Sequence, residues 1–383
     1  MDHKERALER FEAVEPELRE ISRWMFEHPE IAHEEHDTSA RLVAFLREQG
    51  FDVEYPTYGL ATAFAARAGT GGPEVVVCAE MDALPGIGHA CGHNIIATAA
   101  LGAGTAIAGL TEDLGFRLTV LGTPAEEKIG GKVDLIRAGA FDGASAAMMV
   151  HPSAHDTLDP VMLAVEHLEV EFHGKDAHAA AAPWEGKNAL DAFVQAYTAV
   201  AVLRQQMHLG DKVHCIVTHG GDAPNIIPSR IATEWYVRAF TKERLEELMV
   251  RVDDCFAAGA RAAGCTYTVA EQGHAYDELV TDPLLAELAE TNAHTLGRAL
   301  RRSEPGDGTG SGSTDMGNVS REVPSLHPMI GMDTGGAVTH QPEFAAHTIT
   351  PDGERAMRDG ALTMAWTIID LAEGDRWGEL GRS

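Results

Sequence analysis

The sequence is poor in cysteine, in positive charge and in long apolar runs. Five cysteines in 383 residues, odd in number and without a CxxC pair, argue against a disulfide framework and favour reduced thiols in a cytoplasmic protein. No apolar run approaches the roughly 18 residues that a membrane-spanning helix needs. The charged helical pattern of residues 1–20 predicts no secretory signal. We therefore expect no membrane partner and a cytoplasmic location.

Negative charge strongly outweighs positive charge. Lysine and arginine total 30 against 59 aspartates and glutamates, which gives a formal net charge of −29. Contacts with phosphates need clustered basic side chains, so nucleic acid is not an expected partner. The excess of negative charge predicts a solubilising acidic surface, and the attraction of a cationic substrate is an alternative explanation.

Apolar, β-rich runs alternate with helical patterns in the first part of the chain. Helices are predicted over 4–26 and 37–49, the second capped by Asp37 or Thr38. The runs VVVCAEM (75–81), FRLTVLGT (116–123) and AAMMV (146–150) are separated by the helical patterns 94–110 and 132–139. Near-continuous apolar strands between helices are typical of a parallel sheet covered on both faces. The sequence therefore predicts an α/β fold with a mostly parallel sheet.

The pattern changes near residue 166, where apolar and polar positions begin to alternate. From LEVEFHG (168–174) to TYTVAEQ (266–272) the order is strand, helix, strand, strand, helix, strand, which suits a smaller open-faced sheet carrying two helices. The first pattern returns near residue 280 and ends in a helix over 354–371. We predict one α/β domain, residues 1–165 and 280–383, interrupted by a lid domain of residues 166–279.

Side chains that bind metal ions occur where four predicted strands end, the edge at which open α/β sheets bind ligands. GIGHACGHN contains Cys91 and His93, TPAEE ends in Glu126 and Glu127, His151 follows AAMMV, and His340 lies in GGAVTHQPEF. Each has a simpler explanation, such as a buried cysteine, a histidine at a helix start or a solvated acidic turn. Together they could supply ligands for one or two divalent ions and one general base.

Six stretches of the sequence resemble one known family. They are AEMDALPGIGHACGHN, TPAEE, MMVHP, GKDAHAAAAPWEGKNALDA, NIIPSR and GSTDMGNVS, which follow one another in the order of the M20 metallopeptidase and amidohydrolase family. Within that family they resemble the aminoacylase-1-like-2 and aminobenzoyl-glutamate hydrolase branch. The resemblance extends over nearly the whole chain. It implies a parallel-sheet catalytic domain with an inserted ferredoxin-like lid domain through which two copies form a homodimer.

The resemblance also implies roles for individual residues. Glu126 would be the general base, and one or two divalent ions, Zn²⁺ or Mn²⁺, would be bound by Cys91, His93, Glu127, His151 and His340. Many family members have His-x-Asp after the first core strand, whereas this chain has Glu80-Met81-Asp82. We therefore interpret Asp82 as a residue that orients a ligand, and the number of ions stays open.

Three residues of the predicted lid domain match family positions that contact the substrate. His178 would stabilise the oxyanion, although a polar turn histidine is the simpler explanation, and it could serve its own subunit or the partner. Asn225 and Arg238 would bind a substrate carboxylate, for which an amide and a guanidinium are well suited. Arg238 could otherwise be a plain surface cation.

The predicted reaction is metal-dependent hydrolysis of an amide bond in a small N-acyl amino acid or dipeptide-like substrate with a carboxylate. The chain has no GxSxG, Walker or GxGxxG motif, so serine-hydrolase and nucleotide-dependent chemistry lack support. One alternative is a hydrolytic deaminase, or another C–N hydrolase, acting on an aromatic amine. The other is a non-catalytic metal- or peptide-binding protein, which would have no need of the base Glu126.

Overall fold

The chain folds into two compact units. The structure, a computed structural model, describes residues 2–303 and 312–381. The first unit contains residues 2–161, 279–303 and 314–381, and the second contains residues 162–278 with Gly312 and Ser313. Each unit has its own sheet and its own apolar core.

The helices and strands account for most of both units. In chain order the strands are β1 (Asp52–Glu54), β2 (Phe64–Ala68), β3 (Glu74–Glu80), β4 (Arg117–Thr123), β5 (Ala144–Met148), β6 (His151–Ser153), β7 (Ala164–His173), β8 (Lys212–His219), β9 (Arg230–Ala239), β10 (Thr266–Glu271), β11 (Ser325–Leu326) and β12 (Met329–Gly331). The α-helices are α1 (His3–Glu27), α2 (His36–Glu48), α3 (His93–Ala108), α4 (Thr111–Leu114), α5 (Gly131–Arg137), α6 (Ala189–Leu203), α7 (Lys242–Ala262), α8 (Pro283–Thr295), α9 (Met316–Glu322), α10 (Pro342–His347) and α11 (Pro351–Glu373).

The first unit is built on a six-stranded sheet in the order β1-β2-β4-β3-β5-β11. The pairs β3–β4, β3–β5 and β5–β11 are parallel, and Val77 of β3 lies opposite Val120 on one side and Met148 on the other. The predicted α/β class with a mostly parallel sheet is confirmed. The sequence did not indicate β1 and β2, which extend one edge of this sheet in antiparallel pairing.

Helix α3 forms the centre of the core of the first unit. Its sequence, HNIIATAALGAGTAIA, is apolar around the whole helix, as expected for a helix with no solvent-facing side, and every residue from His93 to Ile107 is buried. It packs against both α1 and α11. A Cβ atom on Gly102 would lie 2.7 Å from the Phe11 ring of α1, so only glycine permits this close approach. Among the described residues, no helix is long and apolar enough to cross a membrane.

The beginning of α2 differs from the prediction. The helix begins at His36, and neither Asp37 nor Thr38 is its N-cap residue. Their backbone N–H groups instead donate to the carboxylate of Glu30, at 3.2 and 2.8 Å. A side chain from the preceding loop thus satisfies the free amides of the first turn, which sequence spacing alone does not reveal.

The second unit is an antiparallel sheet in the order β10-β7-β9-β8, with α6 and α7 on one face. Its elements follow the predicted order of strand, helix, strand, strand, helix, strand. Apolar and polar positions alternate along β9, so that one set of side chains is buried beneath the helices. Trp235 of β9 is fully buried there and lies against Phe256 of α7.

Candidate metal centre and active site

The turn before α3 brings Cys91 beside His151. Gly92 between the two candidate ligands Cys91 and His93 has φ of 85°, a conformation that side chains disfavour. A Cβ atom there would also lie 2.4 Å from the ring of Pro152, so glycine lets the turn pack directly on β6. As a result, Cys91 Sγ lies 3.4 Å from His151 Nε2.

The segment after β4 places two carboxylates at the same edge of the sheet. Glu127 Oε1 lies 3.6 Å from His93 Nε2, and Glu127 Oε2 lies 3.3 Å from His340 Nε2. Glu126 is buried beside them, with its Oε2 atom 3.8 Å from His93 Nε2. His340 is fixed to the Cys91 turn because its backbone N–H donates to Ala90 O at 2.8 Å. The structure therefore brings together all six strand-end side chains that the sequence singled out.

These separations fit bound divalent ions. Atoms that bind one tetrahedral Zn²⁺ at 2.0–2.3 Å lie about 3.3 to 3.8 Å from one another, and the distances above fall within that range. Among the described residues, the buried atoms His93 Nε2 and Glu127 Oε1 have no hydrogen-bond partner. In the neutral His93 ring with its proton on Nδ1, Nε2 and Glu127 Oε1 are two facing acceptors, which are costly to bury unless a cation lies between them. The residues present thus fit one or two divalent ions.

Neighbouring groups set the protonation of the candidate ligands. His151 Nδ1 donates to Pro152 O at 2.7 Å, which leaves Nε2 as the unprotonated nitrogen. Burial lowers the pKa of His151 to about 4, so its ring is neutral. Burial and the charge of Glu127 raise the pKa of the Cys91 thiol well above its usual value. The thiolate that a metal site needs is therefore favoured only when a cation is bound.

Asp82 lies behind this group of ligands. Its Oδ1 atom is 3.3 Å from His93 Nδ1, on the side of the ring opposite the Glu127 contact. The same carboxylate accepts the backbone N–H groups of Glu126 and Glu127, each at 3.1 Å. Its contacts are therefore to the ring of the candidate ligand His93 and to the backbone of the candidate base Glu126, and the orienting role of Asp82 stays a prediction.

Burial and nearby negative charges change the pKa of Glu126. Burial, followed by the charges of Glu80 and Glu127, raises the pKa of Glu126 well above its usual value. Because basicity rises with pKa, Glu126 in its ionised form is a stronger proton acceptor than an ordinary carboxylate. The side chain therefore has the environment expected of a general base.

A buried ion-pair group adjoins the centre, and the sequence interpretation did not assign it. Lys132 Nζ lies 2.5 Å from Glu80 Oε1 and 2.6 Å from Asp315 Oδ1, and all three side chains are at most 1% exposed. Glu80 Oε2 in turn lies 3.5 Å from His93 Nε2. A signal was present, because Glu80 is a charged residue inside the apolar run VVVCAEM. The partner that compensates its charge could not be read from spacing.

The remaining candidate residues lie in the second unit. The segments of His178 and Asn225 are adjacent, since Ala179 N–H donates to Asn225 O at 2.9 Å. His178 Nδ1 accepts the N–H groups of Ala180 and Ala181, so its Nε2 atom carries the proton. Arg238 of β9 donates to Ser313 Oγ at 2.6 Å, and its guanidinium lies over the Tyr236 ring.

An α/β fold with a cluster of Cys, His and Glu side chains beside a buried carboxylate is typical of a metallohydrolase, and comparison with known proteins identifies its family. Residues 76–363 match the model of peptidase family M20/M25/M40. The chain is 38% identical to the Xaa-Arg dipeptidase of Mus musculus, with 96% of this chain and 88% of that protein covered. It is 30% identical to the N-acetyl-L-cysteine deacetylase of Bacillus subtilis, with coverage of 60% and 61%.

A solved structure supports the fold. A dinuclear metal-binding peptidase of the M20 family from Bacillus subtilis superposes with a TM-score of 0.71 at 21% identity, covering 94% of this chain and 99% of that one. The chain belongs to the peptidase family M20/M25/M40. It is a hydrolytic enzyme that acts on C–N bonds. The predicted reaction, metal-dependent hydrolysis of an amide bond in a small N-acyl amino acid or dipeptide-like substrate, is confirmed.

Proposed function

We propose that the enzyme hydrolyses dipeptides whose C-terminal residue is cationic, with arginine as the preferred residue. The observation that carries the proposal is the convergence of the ligand set on the buried carboxylate Glu126, in a chain that is 38% identical to an Xaa-Arg dipeptidase over nearly its full length. The net charge of −29 also favours a cationic substrate, because a negative surface field attracts it.

In this proposal the ligands are the five side chains Cys91, His93, Glu127, His151 and His340. Divalent ions, Zn²⁺ or Mn²⁺, would supply Lewis-acid activation of the water and of the scissile carbonyl. Glu126 takes a proton from the attacking water and returns it to the leaving amine, a role that its raised pKa supports. Asp82 keeps the His93 ring and the backbone of Glu126 in position.

The second unit supplies substrate-binding groups. His178 donates from Nε2 to the oxyanion, a role supported by the two N–H groups that already occupy its Nδ1. Arg238 binds the substrate carboxylate together with Asn225. Arg238 is suited to this because, among the described residues, no carboxylate forms an ion pair with it. Burial lowers the pKa of Arg238, but a guanidinium stays charged in a protein.

We also propose that the enzyme is a cytoplasmic homodimer formed through the second unit, residues 166–279 in the predicted boundaries. Edge strand β8 and helix α6 expose large apolar side chains, among them Val194 (51% exposed), Val202 (67%) and Ile216 (60%). A second copy would cover this surface and pair with edge strand β8. Replacing Ile216 by glutamate should shift the sedimentation coefficient to that of a monomer, and an unchanged value would contradict the arrangement.

A substrate comparison tests the function. Purified enzyme loaded with Zn²⁺ or Mn²⁺ is given Ala-Arg, Ala-Glu, N-acetyl-arginine, aminobenzoyl-glutamate and an aromatic amine, and the products are separated by chromatography. We expect kcat/KM to be highest for Ala-Arg, with free alanine and arginine as products. The Glu126→Gln variant should keep its metal and lose about 100-fold or more in kcat, the scale of general-base catalysis.

The same experiment separates the alternatives. Preference for aminobenzoyl-glutamate or for N-acetyl-arginine would make the enzyme an acyl-amino acid hydrolase and overturn the dipeptide assignment. Release of ammonia from the aromatic amine would indicate a deaminase.

A further inference from the structure

Three consecutive backbone amides in the turn that holds the proposed base are bound by buried carboxylates. The N–H groups of Glu126 and Glu127 donate to the two oxygens of Asp82, each at 3.1 Å. The N–H group of Ala125, one residue earlier, donates to Glu35 Oε1 at 3.0 Å. Two side chains from different parts of the chain thus fix the whole turn.

Ala125 is the residue in this turn whose backbone most needs support. Its φ angle is 62°, in the left-handed region that non-glycine residues rarely adopt. Its side chain is fully buried. A left-handed residue directly before Glu126 sets the direction in which the carboxylate of Glu126 leaves the backbone. The surrounding contacts must therefore hold Ala125 in place.

Glu35 is itself rigidly held, and the described hydrogen bonds of its carboxylate join it to Thr62 and Ala125. It is 0% exposed, and its Oε2 atom accepts the hydroxyl of Thr62 at 2.9 Å. Ser39 Oγ in turn donates to Thr62 O at 2.7 Å, so the start of α2 and the loop before β2 fix the carboxylate from both sides. A fully buried carboxylate is costly unless it is hydrogen-bonded, and the donors from Thr62 and Ala125 supply that compensation.

We propose that Glu35 is a positioning residue for catalysis: by accepting the Ala125 N–H, it holds the left-handed turn that directs Glu126 at the substrate. The proposal rests on the proposed role of Glu126. Glu35 acts through the backbone and touches neither the substrate nor a metal ligand. Sequence reasoning passed over it because it lies 90 positions from Ala125 among other acidic residues, in HEEHD.

The test compares variants that keep or remove the acceptor. Glu35→Ala removes it, and we expect kcat for Ala-Arg to fall about 10- to 100-fold, the effect of a displacement near 1 Å, with KM and metal content unchanged. Glu35→Gln should restore most of kcat, because its amide oxygen accepts from Ala125 while its NH₂ group donates to Thr62. Glu34→Ala, at the exposed neighbouring position, should match wild type.

Hydrogen exchange at the amide of Ala125, measured by mass spectrometry of the peptide over residues 123–130, gives a readout that is independent of turnover. In Glu35→Ala this amide should exchange at least tenfold faster than in wild type. If Glu35→Ala is insoluble, Thr62→Val provides the second variant, since it loosens the carboxylate without removing it, and kcat should fall severalfold.

The outcomes distinguish the two proposals. The proposed function is refuted if the wild-type enzyme cleaves none of the offered substrates. The hydrogen-exchange measurement tests the positioning role of Glu35 in that case as well. Unchanged exchange and unchanged kcat in folded Glu35→Ala would overturn the positioning role. A fall in kcat accompanied by equal loss of metal would also overturn it, because Glu35 would then support the ligand set rather than the base.

Discussion

Replacement of Lys132 by methionine should destabilise the first unit severely. The lysine is 0% exposed, and its ammonium contacts Glu80 at 2.5 Å and Asp315 at 2.6 Å. Asp315 also accepts the backbone N–H of Lys132 at 2.9 Å. Methionine fills a similar volume but leaves two buried carboxylates without the compensating charge. Removal of one partner from a buried ion pair costs about 3–5 kcal/mol.

The loss should depend on pH in a defined direction. Without the ammonium, burial raises the folded-state pKa of the two carboxylates above their values in the unfolded chain. The folded variant then binds protons more tightly than the unfolded chain, so its stability falls as pH rises above about 4, the ordinary carboxyl pKa. The difference between variant and wild type should therefore be larger at pH 8 than at pH 5.

Urea unfolding followed by circular dichroism measures this difference. Chelator is present in all samples, so that metal binding does not contribute. Lys128→Met, at an exposed position in the same segment, is the matched control and should change the free energy of unfolding by less than about 0.5 kcal/mol. A loss below about 1 kcal/mol for Lys132→Met at pH 8 would refute the reasoning, because it would mean that the carboxylates are compensated by other groups.

Three further outcomes follow from the described contacts. Cys91→Ala should bind less metal by elemental analysis, and bound metal should protect Cys91 of the wild type from thiol reagents; unchanged metal content would make Cys91 a packing residue. Amidation of the substrate carboxylate should reduce kcat/KM strongly in wild type and little in Arg238→Ala, whereas equal losses would contradict a carboxylate contact. Burial, with the charge of Arg238, lowers the pKa of His167 to about 4. Unfolding of the second unit should therefore become easier as pH falls from 6.5 towards 4, by about 3 kcal/mol, and His167→Phe should remove this dependence in acid titrations.

Hydrophobic periodicity predicted the helices and strands well where an element is buried on one face or on all sides. The apolar run 75–81 corresponds to β3 (Glu74–Glu80), and the helical run 94–110 corresponds to α3 (His93–Ala108). Strand-end placement also predicted the grouping of Cys91, His93 and Glu127, because parallel strands deliver their carboxyl ends to one edge. These features depend on local pattern and on a simple topological rule.

Other features depend on contacts that no local pattern contains. The strand β2, FAARA, is too short and too weakly patterned to be recognised, and it is held by antiparallel pairing with β4. The partners of buried charges could not be predicted from the sequence either. Glu80 stands out within its strand, but its compensation by Lys132 arises only from the folded topology. Glu35 resembles an ordinary acidic surface residue until its contact with Ala125 is known.

The central position of α3 has a consequence for synthesis of the chain. Part of α3 is covered by α1, which precedes it, but another part is covered by α11, which begins more than 240 residues after α3 ends. At translation rates of 5–20 residues per second, the part of α3 that contacts α11 stays exposed for on the order of 10 to 50 s before α11 is synthesised. The complete second unit is made during this interval. A ribosome-bound chain therefore presents the helix that carries His93 as an uncovered apolar surface, which makes holding by a chaperone a natural step in the maturation of this enzyme.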